Sequence, residues 1–256
     1  MLEISFMAMG GLVLLFIVAP IVGMFIHCST GEIVDAAGDA VVQKSIWLTL
    51  WTSMAGTLIL GFFAIPFSFL LARKNFPLKR LVTGIIDLPV IIPHSAAGIA
   101  VLGVISRNSF IGKLADKIGF SFIGNPAGIT IAMAFVSIPF LVNYAREGFA
   151  AVPERLEKAA LTLGASPVRV FFTISLPLAW RAVLSGLVMM WARGLSEFGA
   201  VIIVAYQPMI TPVLIYERFS SFGLKYARPV TVLFIIVCLI IFLFLRLLLE
   251  NKNARS

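Results

Sequence analysis

Long runs of apolar residues, separated by short polar stretches, make up most of this chain. A helix needs roughly 20 residues to cross the hydrocarbon core of a bilayer, which is about 30 Å thick. Six apolar runs come near that length, and we expect spans near Ser5–Ile26, Ile46–Ala72, Val82–Val104, Ala127–Val142, Ala182–Val204 and Pro229–Leu249. The pattern therefore predicts an all-α integral membrane protein with six transmembrane helices, folded as a single domain over residues 1–256.

Two prolines lie inside the third predicted span. Pro89 and Pro93 remove backbone donors and should kink or break the helix, which lipid tolerates only where the freed carbonyls face protein or water. Asp87 and His94 are seven residues apart, so they should lie near one face of such a helix. His94, beside Ser95, could donate a hydrogen bond to an anion. It could equally be packed and hydrogen-bonded to a neighbour, and the sequence leaves both interpretations open.

Composition excludes a soluble protein. Sixty per cent of the residues are hydrophobic, 12% are charged and the mean hydropathy is +1.04. Soluble domains carry about 25% charged residues, so a soluble fold would leave far too much apolar surface in water. The formal charge of +8 then indicates basic loops at the surface of a lipid bilayer rather than binding to nucleic acid. Cys28 and Cys238 lie far apart without a ligand cluster, which supports neither a metal site nor a disulfide framework.

The distribution of basic residues predicts the orientation, because Lys and Arg concentrate in cytoplasmic loops. Twelve lie on one side of the predicted spans, in the loop after span two, in the loop 143–181 and at the C-terminal end, where Lys252 and Arg255 are counted. Seven lie on the other side, whose first loop is acidic, with Glu32, Asp35 and Asp39. Both termini and the loop 143–181 are therefore predicted to be cytoplasmic.

The loop 143–181 contains a polar, helix-forming segment. Pro153 can occupy the first helical position, and Glu154 and Glu157 favour the positive end of the helix dipole. Gly164 suits the left-handed residue that ends a helix. Ser166-Pro167 then forms an N-cap and first-turn pair that opens another helix. The segment therefore predicts two short helices that meet at a tight corner on the cytoplasmic surface.

The first of these helices has one apolar face. Leu156, Ala159, Ala160 and Leu163 follow the i, i+3, i+4, i+7 spacing. Such a helix can be a connector that lies at the membrane interface without a partner. It can also be a docking surface, because small alanines let a partner approach closely.

The spacing of this loop resembles the EAA loop of ABC-type importer permeases, which runs Glu-Ala-Ala, three residues, Gly, nine residues, Ile-x-Leu-Pro. The residues that fit are Ala159, Ala160, Gly164, Ile174, Leu176 and Pro177, while Lys158 occupies the usual Glu position and Glu157 precedes it. The resemblance implies a type I importer fold in which this loop is the coupling helix that a separate ATPase grips. It implies coupling roles for Glu154, Glu157, Lys158, Ala159, Ala160, Leu163, Gly164, Ile174, Leu176 and Pro177.

From about Phe62 onward the chain also resembles molybdate/tungstate importer permeases, especially the archaeal type. Four segments carry this resemblance: 87–94 (DLPVIIPH), 191–200 (WARGLSEFGA), 205–209 (AYQPM) and 214–219 (LIYERF). Sulfate permeases share the second of them in part. The resemblance therefore implies import of molybdate or tungstate, with sulfate as the alternative substrate.

The same resemblance implies the partners. The sequence contains no Gly-x-x-x-x-Gly-Lys-Ser/Thr phosphate loop, so ATP and Mg are expected on a partner ATPase, and this chain is expected to catalyse no reaction and to bind no cofactor or metal. The implied assembly in the cell membrane has two copies of this chain, two ATP-binding subunits and one extracytoplasmic molybdate/tungstate-binding protein.

Two charges lie inside the fifth predicted span. Arg193 and Glu197 would each cost about 2.5–3.5 kcal/mol near the bilayer centre, but at i and i+4 they can share one helix face and neutralise each other. They could form a structural ion pair, or they could gate or line a path, since intramembrane charges usually face a bundle interior or water. The candidate path or gate residues are His94, Ser95, Arg193, Ser196 and Glu197.

Two other classes of protein have some support in the sequence. An intramembrane serine protease can have six spans, and His94, Ser95 and Ser137 could be its buried residues, but no Gly-x-Ser-Gly-like site occurs. A self-contained channel or a proton-coupled carrier would need no ATPase. Neither explains the polar loop.

Overall fold

The computed structural model describes residues 2–251, and Lys252 and Arg255 of the orientation count lie outside them. That part of the chain is helical, with α1 (Leu2–Ile26), α2 (Thr30–Gly38), α3 (Ala40–Arg73), α4 (Lys79–Ile91), α5 (His94–Ile105), α6 (Phe110–Asp116), α7 (Pro126–Ala151), α8 (Glu154–Thr162), α9 (Pro167–Val170), a π-helical segment (Phe171–Ser175), α10 (Leu176–Leu195), α11 (Gly199–Val204), α12 (Thr211–Phe222) and α13 (Leu224–Asn251). Its contacts divide it into two compact units, residues 48–209 and the remainder.

The unit formed by the two ends of the chain contains α1, α2, the start of α3, α12 and α13. Ser29 begins α2 with a capping box, in which its hydroxyl accepts from the Glu32 amide and the Glu32 carboxylate accepts from the Ser29 amide. The Ser29 amide and the Ser29 hydroxyl both donate to the Glu32 carboxylate, which holds the pKa of Glu32 below its usual range. Asp39 is paired with Arg218 of α12, so α12 is tied to the start of α3.

The second unit is built on α7 and α10, which pack along each other. A Cβ atom at Gly148 of α7 would lie 2.4 Å from the Ala182 Cβ of α10, so the two helices touch where small residues face each other. Leu71, Leu141, Phe149, Val183 and Met190 are among the buried residues of this core. Phe149 also meets the Phe69 ring of α3 edge-on, at 5.3 Å between centroids.

Five helical segments in the described part are long and apolar enough to cross a membrane: Glu3–Ile26, Ala40–Arg73, Pro126–Ala151, Pro167–Leu195 and Leu224–Leu245. The predicted spans one, two and six match this set. The fourth was predicted to end at Val142, but α7 continues to Ala151 because Ala145 and Phe149 are buried in the core. The first nine residues of the predicted loop 143–181 are therefore helical.

The third predicted span is not one helix. The helices α4 and α5 meet at an angle of 114°, and Pro93, the N-cap of α5, marks the break. At 1.5 Å per residue each helix is about 20 Å long or less, so neither crosses the membrane core alone. The break was expected, but the prediction that Asp87 and His94 share one helix face was wrong, because the two residues lie on different helices.

The fifth predicted span is also divided. Helix α10 passes through Arg193-Gly194 without interruption, ends at Leu195 and is followed by the short helix α11. The prediction of one span over Ala182–Val204 was therefore wrong at residues 196–198. At its other end the helix begins much earlier, at Pro167, so the second short helix predicted for the loop is the first part of this long one.

Candidate functional site

The tight corner between α8 and α9 forms as the sequence predicts, apart from one residue at its start. Pro153 is the N-cap of α8 rather than its first helical residue. Gly164 has φ = 86°, and its amide donates to the Leu161 carbonyl at 3.0 Å, while the Ala165 amide donates to the Ala160 carbonyl at 3.0 Å. These two bonds are a Schellman motif, which satisfies the last carbonyls of α8. The left-handed Gly164 was therefore predicted correctly.

The Ser166–Pro167 pair starts the next helix as predicted. The Ser166 hydroxyl accepts from the Arg169 amide at 3.3 Å, and Pro167 occupies the first turn, where its missing N–H costs nothing. Beyond it the helix widens into the π-helical segment, where the Leu176 amide donates to the Phe171 carbonyl five residues back. This wider turn directly precedes Pro177, whose ring and missing N–H do not fit a regular helix interior.

Glu157 attaches α8 to its own chain. The residue is 8% exposed, and the Arg73 Nε atom donates to its two carboxylate oxygens at 3.1 and 2.9 Å. Arg73 Nη2 donates to Glu157 Oε1 at 2.7 Å and to the Val152 carbonyl at 2.9 Å. The Ser175 hydroxyl donates to the same carboxylate at 2.9 Å. The carboxylate therefore joins α8 to the end of α3 and to the π-helical segment.

Most other predicted coupling residues on α8 and at its corner are exposed. The side chains of Glu154 and Lys158 form an exposed ion pair at 2.9 Å, and this hydrogen bond and charge hold the pKa of Glu154 below its usual range. Ala159, Leu163 and Gly164 are also exposed, while Ala160 is half-buried. By contrast, Ile174, Leu176 and Pro177 lie at the junction between the π-helical segment and α10. They shape the long helix rather than the surface of α8.

A second polar cluster lies where α5, α10 and α11 meet. Glu197 is fully buried, and its Oε2 atom lies 2.8 Å from His94 Nδ1 and 2.9 Å from Arg193 Nη2. Its Oε1 atom accepts from the Ala200 amide at 2.8 Å, which caps the first turn of α11. Glu197, which lies between α10 and α11, thus caps the helix that follows it.

Four of the five candidate path residues are brought together in this cluster. Arg193 Nη1 donates to the Ser196 hydroxyl at 3.3 Å, and its Nη2 lies within 3.0 Å of the His94 ring nitrogens. Ser95 follows His94 and is exposed. The i, i+4 pairing of Arg193 with Glu197 is present as expected, and His94 is hydrogen-bonded to neighbours rather than isolated.

Glycines let α5 and α11 approach each other closely. A Cβ atom at Gly98 would lie 2.7 Å from the Ala200 carbonyl oxygen, and one at Gly199 would lie 2.7 Å from His94 Cβ. Real Cβ atoms do not come so close, so both positions require glycine. This close contact holds His94 of α5 against the Glu197 carboxylate.

Glu197→Gln is expected to destabilise the protein by about 3–5 kcal/mol, because it leaves the Arg193 guanidinium beside a neutral, buried side chain. The amide oxygen of Gln can still accept a hydrogen bond from the Ala200 amide. The loss of stability therefore reports the missing negative charge and not a missing cap of α11. Thermal unfolding in detergent checks it, with Glu147→Gln on the exposed surface of α7 as the control. Equal unfolding temperatures for the two variants would contradict the role of this charge.

Two of the residues considered for a serine protease, Ser137 and His94, have other partners. The Ser137 hydroxyl donates to the Met133 carbonyl of its own helix at 2.7 Å, whereas His94 is bonded to Glu197. Among the residues that the structure describes, no group of three His, Cys, Asp or Glu side chains could hold a metal ion.

Comparison with known families identifies the class of protein. The sequence model of the binding-protein-dependent transport system inner membrane component family matches residues 64–254. The chain belongs to this family. The predicted all-α importer fold and the resemblance to ABC importer permeases are thereby confirmed. The chain is a multi-pass membrane component of a transporter, which works with substrate-binding and ATP-binding partners and is not itself the catalytic subunit.

Individual proteins show the same relationship. The molybdate/tungstate transport system permease protein WtpB of Thermococcus kodakarensis is 41% identical over 251 residues, which cover 97% of this chain and 96% of that protein. A probable sulfate transport system permease protein of Chlorokybus atmophyticus is 35% identical over 190 residues, covering 73% of this chain and 66% of that one. A bacterial ABC transporter involved in the import of alginate shares the fold, with a TM-score of 0.75, 17% identity and coverage of 97% and 95%.

Proposed function

We propose that this chain is the permease subunit of an ATP-driven importer of molybdate and tungstate. The observation that carries the proposal is the 41% identity to a molybdate/tungstate permease along 97% of the chain. The relative named for sulfate is 35% identical and covers 73% of the chain, so sulfate is the second candidate. Two of the segments that suggested the oxyanion branch, 87–94 and 191–200, supply the residues of the buried cluster around Glu197.

The proposed assembly contains two copies of this chain, two ATP-binding subunits and one extracytoplasmic binding protein. ATP and Mg are bound by the ATP-binding subunits, and this chain holds no cofactor. Both termini and the α8–α9 corner face the cytoplasm. The excess of basic residues on that side and the exposure of the corner residues Lys158, Ala159 and Leu163 support this orientation.

Transport then proceeds by alternating access. Closure of the ATP-binding subunits draws the two α8 helices together and favours the outward-facing packing, and hydrolysis restores the inward-facing one. The energy that matters is the difference between the two packings. Because Glu157 is bonded to Arg73 and Ser175, a displacement of α8 moves the end of α3 and the start of α10 with it.

The cluster of His94, Arg193, Ser196 and Glu197, together with the neighbouring Ser95, is the proposed gate or lining of the path. A site that held the oxyanion tightly would slow its release, so few uncompensated positive charges are expected at the narrowest point. The pairing of Arg193 with the buried Glu197 carboxylate at 2.9 Å supports this role. The cluster therefore guides an anion without trapping it.

The decisive experiment measures ATP hydrolysis by the reconstituted complex in the presence of binding protein loaded with molybdate, tungstate or sulfate. We expect stimulation by molybdate and tungstate and none by sulfate. Stimulation by sulfate alone would contradict molybdate and tungstate as the substrates but would agree with the proposed coupling mechanism. A complex that hydrolyses ATP but responds to none of the three would contradict oxyanion import. Uptake that depends on a proton gradient and does not depend on ATP would indicate a proton-coupled carrier instead.

A further inference from the structure

The outward face of α8 is basic. Glu157 is the buried residue of this helix, so it marks the side that faces the rest of the chain. At 100° per residue, Arg155, Ala159 and Thr162 lie on the opposite side, and Lys158 lies at the edge of that side. All four are exposed, and the Lys158 side chain is 74% accessible. This outward face therefore presents two basic side chains and no acid.

The acids of the helix do not offset this charge. The Glu157 carboxylate is turned inward and is neutralised by Arg73 at 2.7 Å. Glu154 lies at the edge of the outward face, where it is paired with Lys158 at 2.9 Å. Beyond the corner, Arg169 adds another exposed basic side chain. Three exposed basic residues thus stand against one exposed acid.

Apolar side chains project beside these charges. Leu163 is 88% exposed and Val168 is 67% exposed, and the two residues stand on either side of the turn at Gly164. Burial of an exposed apolar side chain favours association, so a partner that covers the corner gains most from a pocket for these two. The corner thus combines an apolar tip, formed by Leu163 and Val168, with a basic flank, formed by Arg155, Lys158 and Arg169.

The direction of the outward face favours a protein over the membrane surface. Its opposite side is bonded to Arg73 at the end of α3, and α3 is one of the helices able to cross the membrane. The basic flank therefore points away from the transmembrane helices. A partner that approaches from the cytoplasm meets it first.

We propose that the ATP-binding subunit receives the α8–α9 corner in a groove with an acidic rim, whose carboxylates lie opposite Lys158 and Arg155 and whose floor is an apolar pocket for Leu163. The inference rests on the proposed function, since it takes the partner to be the ATP-binding subunit. It adds the chemistry of the contact. Complementary charge at such a rim sets the rate of association and its salt dependence, and juxtaposed like charges weaken binding strongly.

The test measures the affinity of the intact permease, in phosphatidylcholine nanodiscs, for the ATP-binding subunit of the same organism at low and high salt. At low salt we expect the double variant Arg155→Glu/Lys158→Glu to bind the subunit at least about tenfold more weakly than the unaltered protein. At high salt the difference in affinity between the two should be smaller. Glu154→Gln makes the corner more basic and should bind more tightly. The exposed Lys113→Glu, which is remote in sequence on α6, should match the unaltered protein.

Each other result overturns a distinct statement. Equal or tighter binding by the double variant would overturn the acidic rim and leave the proposed function in place. Failure of the unaltered permease to bind the subunit would overturn the proposed function and the acidic rim with it. The same comparison is repeated in nanodiscs that contain phosphatidylglycerol. If the double variant binds more weakly in these nanodiscs alone, the basic residues contact lipid headgroups and not an acidic rim of the ATP-binding subunit.

Discussion

Replacing Arg73 by Ala is expected to detach the coupling helix from the transmembrane helices and to uncouple ATP hydrolysis from transport. The substitution leaves the buried Glu157 carboxylate without its cation and the Val152 carbonyl without its donor. Breaking a buried pair by removing one partner costs about 3–5 kcal/mol. The ATP-binding subunit should still bind the exposed side of α8, because Arg73 does not reach that surface. Hydrolysis should therefore continue while uptake of the oxyanion per ATP falls.

Two controls separate this role from general instability. Arg73→Lys keeps the charge but loses the two-pronged contact of a guanidinium, so it should retain part of the coupling. Lys74→Ala removes the neighbouring basic residue, which is exposed, and should change neither unfolding nor coupling. The ratio of transported anion to hydrolysed ATP, measured in proteoliposomes, is the deciding quantity. An unchanged ratio in Arg73→Ala would contradict the proposed link between α8 and α3.

Gly164→Val is expected to abolish association with the ATP-binding subunit while the protein still inserts in the membrane. Gly164 has φ = 86°, a conformation that costs a β-branched residue about 1–3 kcal/mol. No other atom lies within 4 Å of an added Cβ, so the strain arises in the backbone and not from a clash. The turn should open, and Leu163 should no longer project from the corner in a fixed direction.

Co-purification of the two subunits, compared with membrane insertion, measures this effect. Gly164→Asn is the matched control, because Asn tolerates the left-handed conformation far better than Val does. It should retain most of the association. Normal co-purification of Gly164→Val would contradict the assignment of α8 as a coupling helix.

Features that depend on neighbours in the sequence could be predicted from the sequence. The turn at Gly164, the cap at Ser166 and the pairing of Arg193 with Glu197 all follow from residues within four positions of each other. The apolar spans follow from hydropathy alone. These predictions needed no knowledge of which helices pack together.

Contacts between distant residues could not be predicted in this way. Arg73 and Glu157 are 84 positions apart, and His94 and Glu197 are 103 apart. The division of the fifth span was missed for a related reason. Residues on both sides of Glu197 are largely apolar, so hydropathy treats them as one run. The break depends on a buried carboxylate that caps α11 and binds His94 of another helix.

The helix from Pro167 to Leu195 has a mechanical consequence. Its 29 residues form one rod of about 43 Å, with the ATPase-facing corner at one end and Arg193 near the other. A tilt imposed at the corner reaches the Glu197 cluster along this one helix, and on the way it passes through the π-helical turn, where the regular hydrogen bonding of the helix is interrupted. Shortening or stiffening that turn should therefore alter how far the gate moves for a given stroke of the ATPase, even though no residue of the gate has changed.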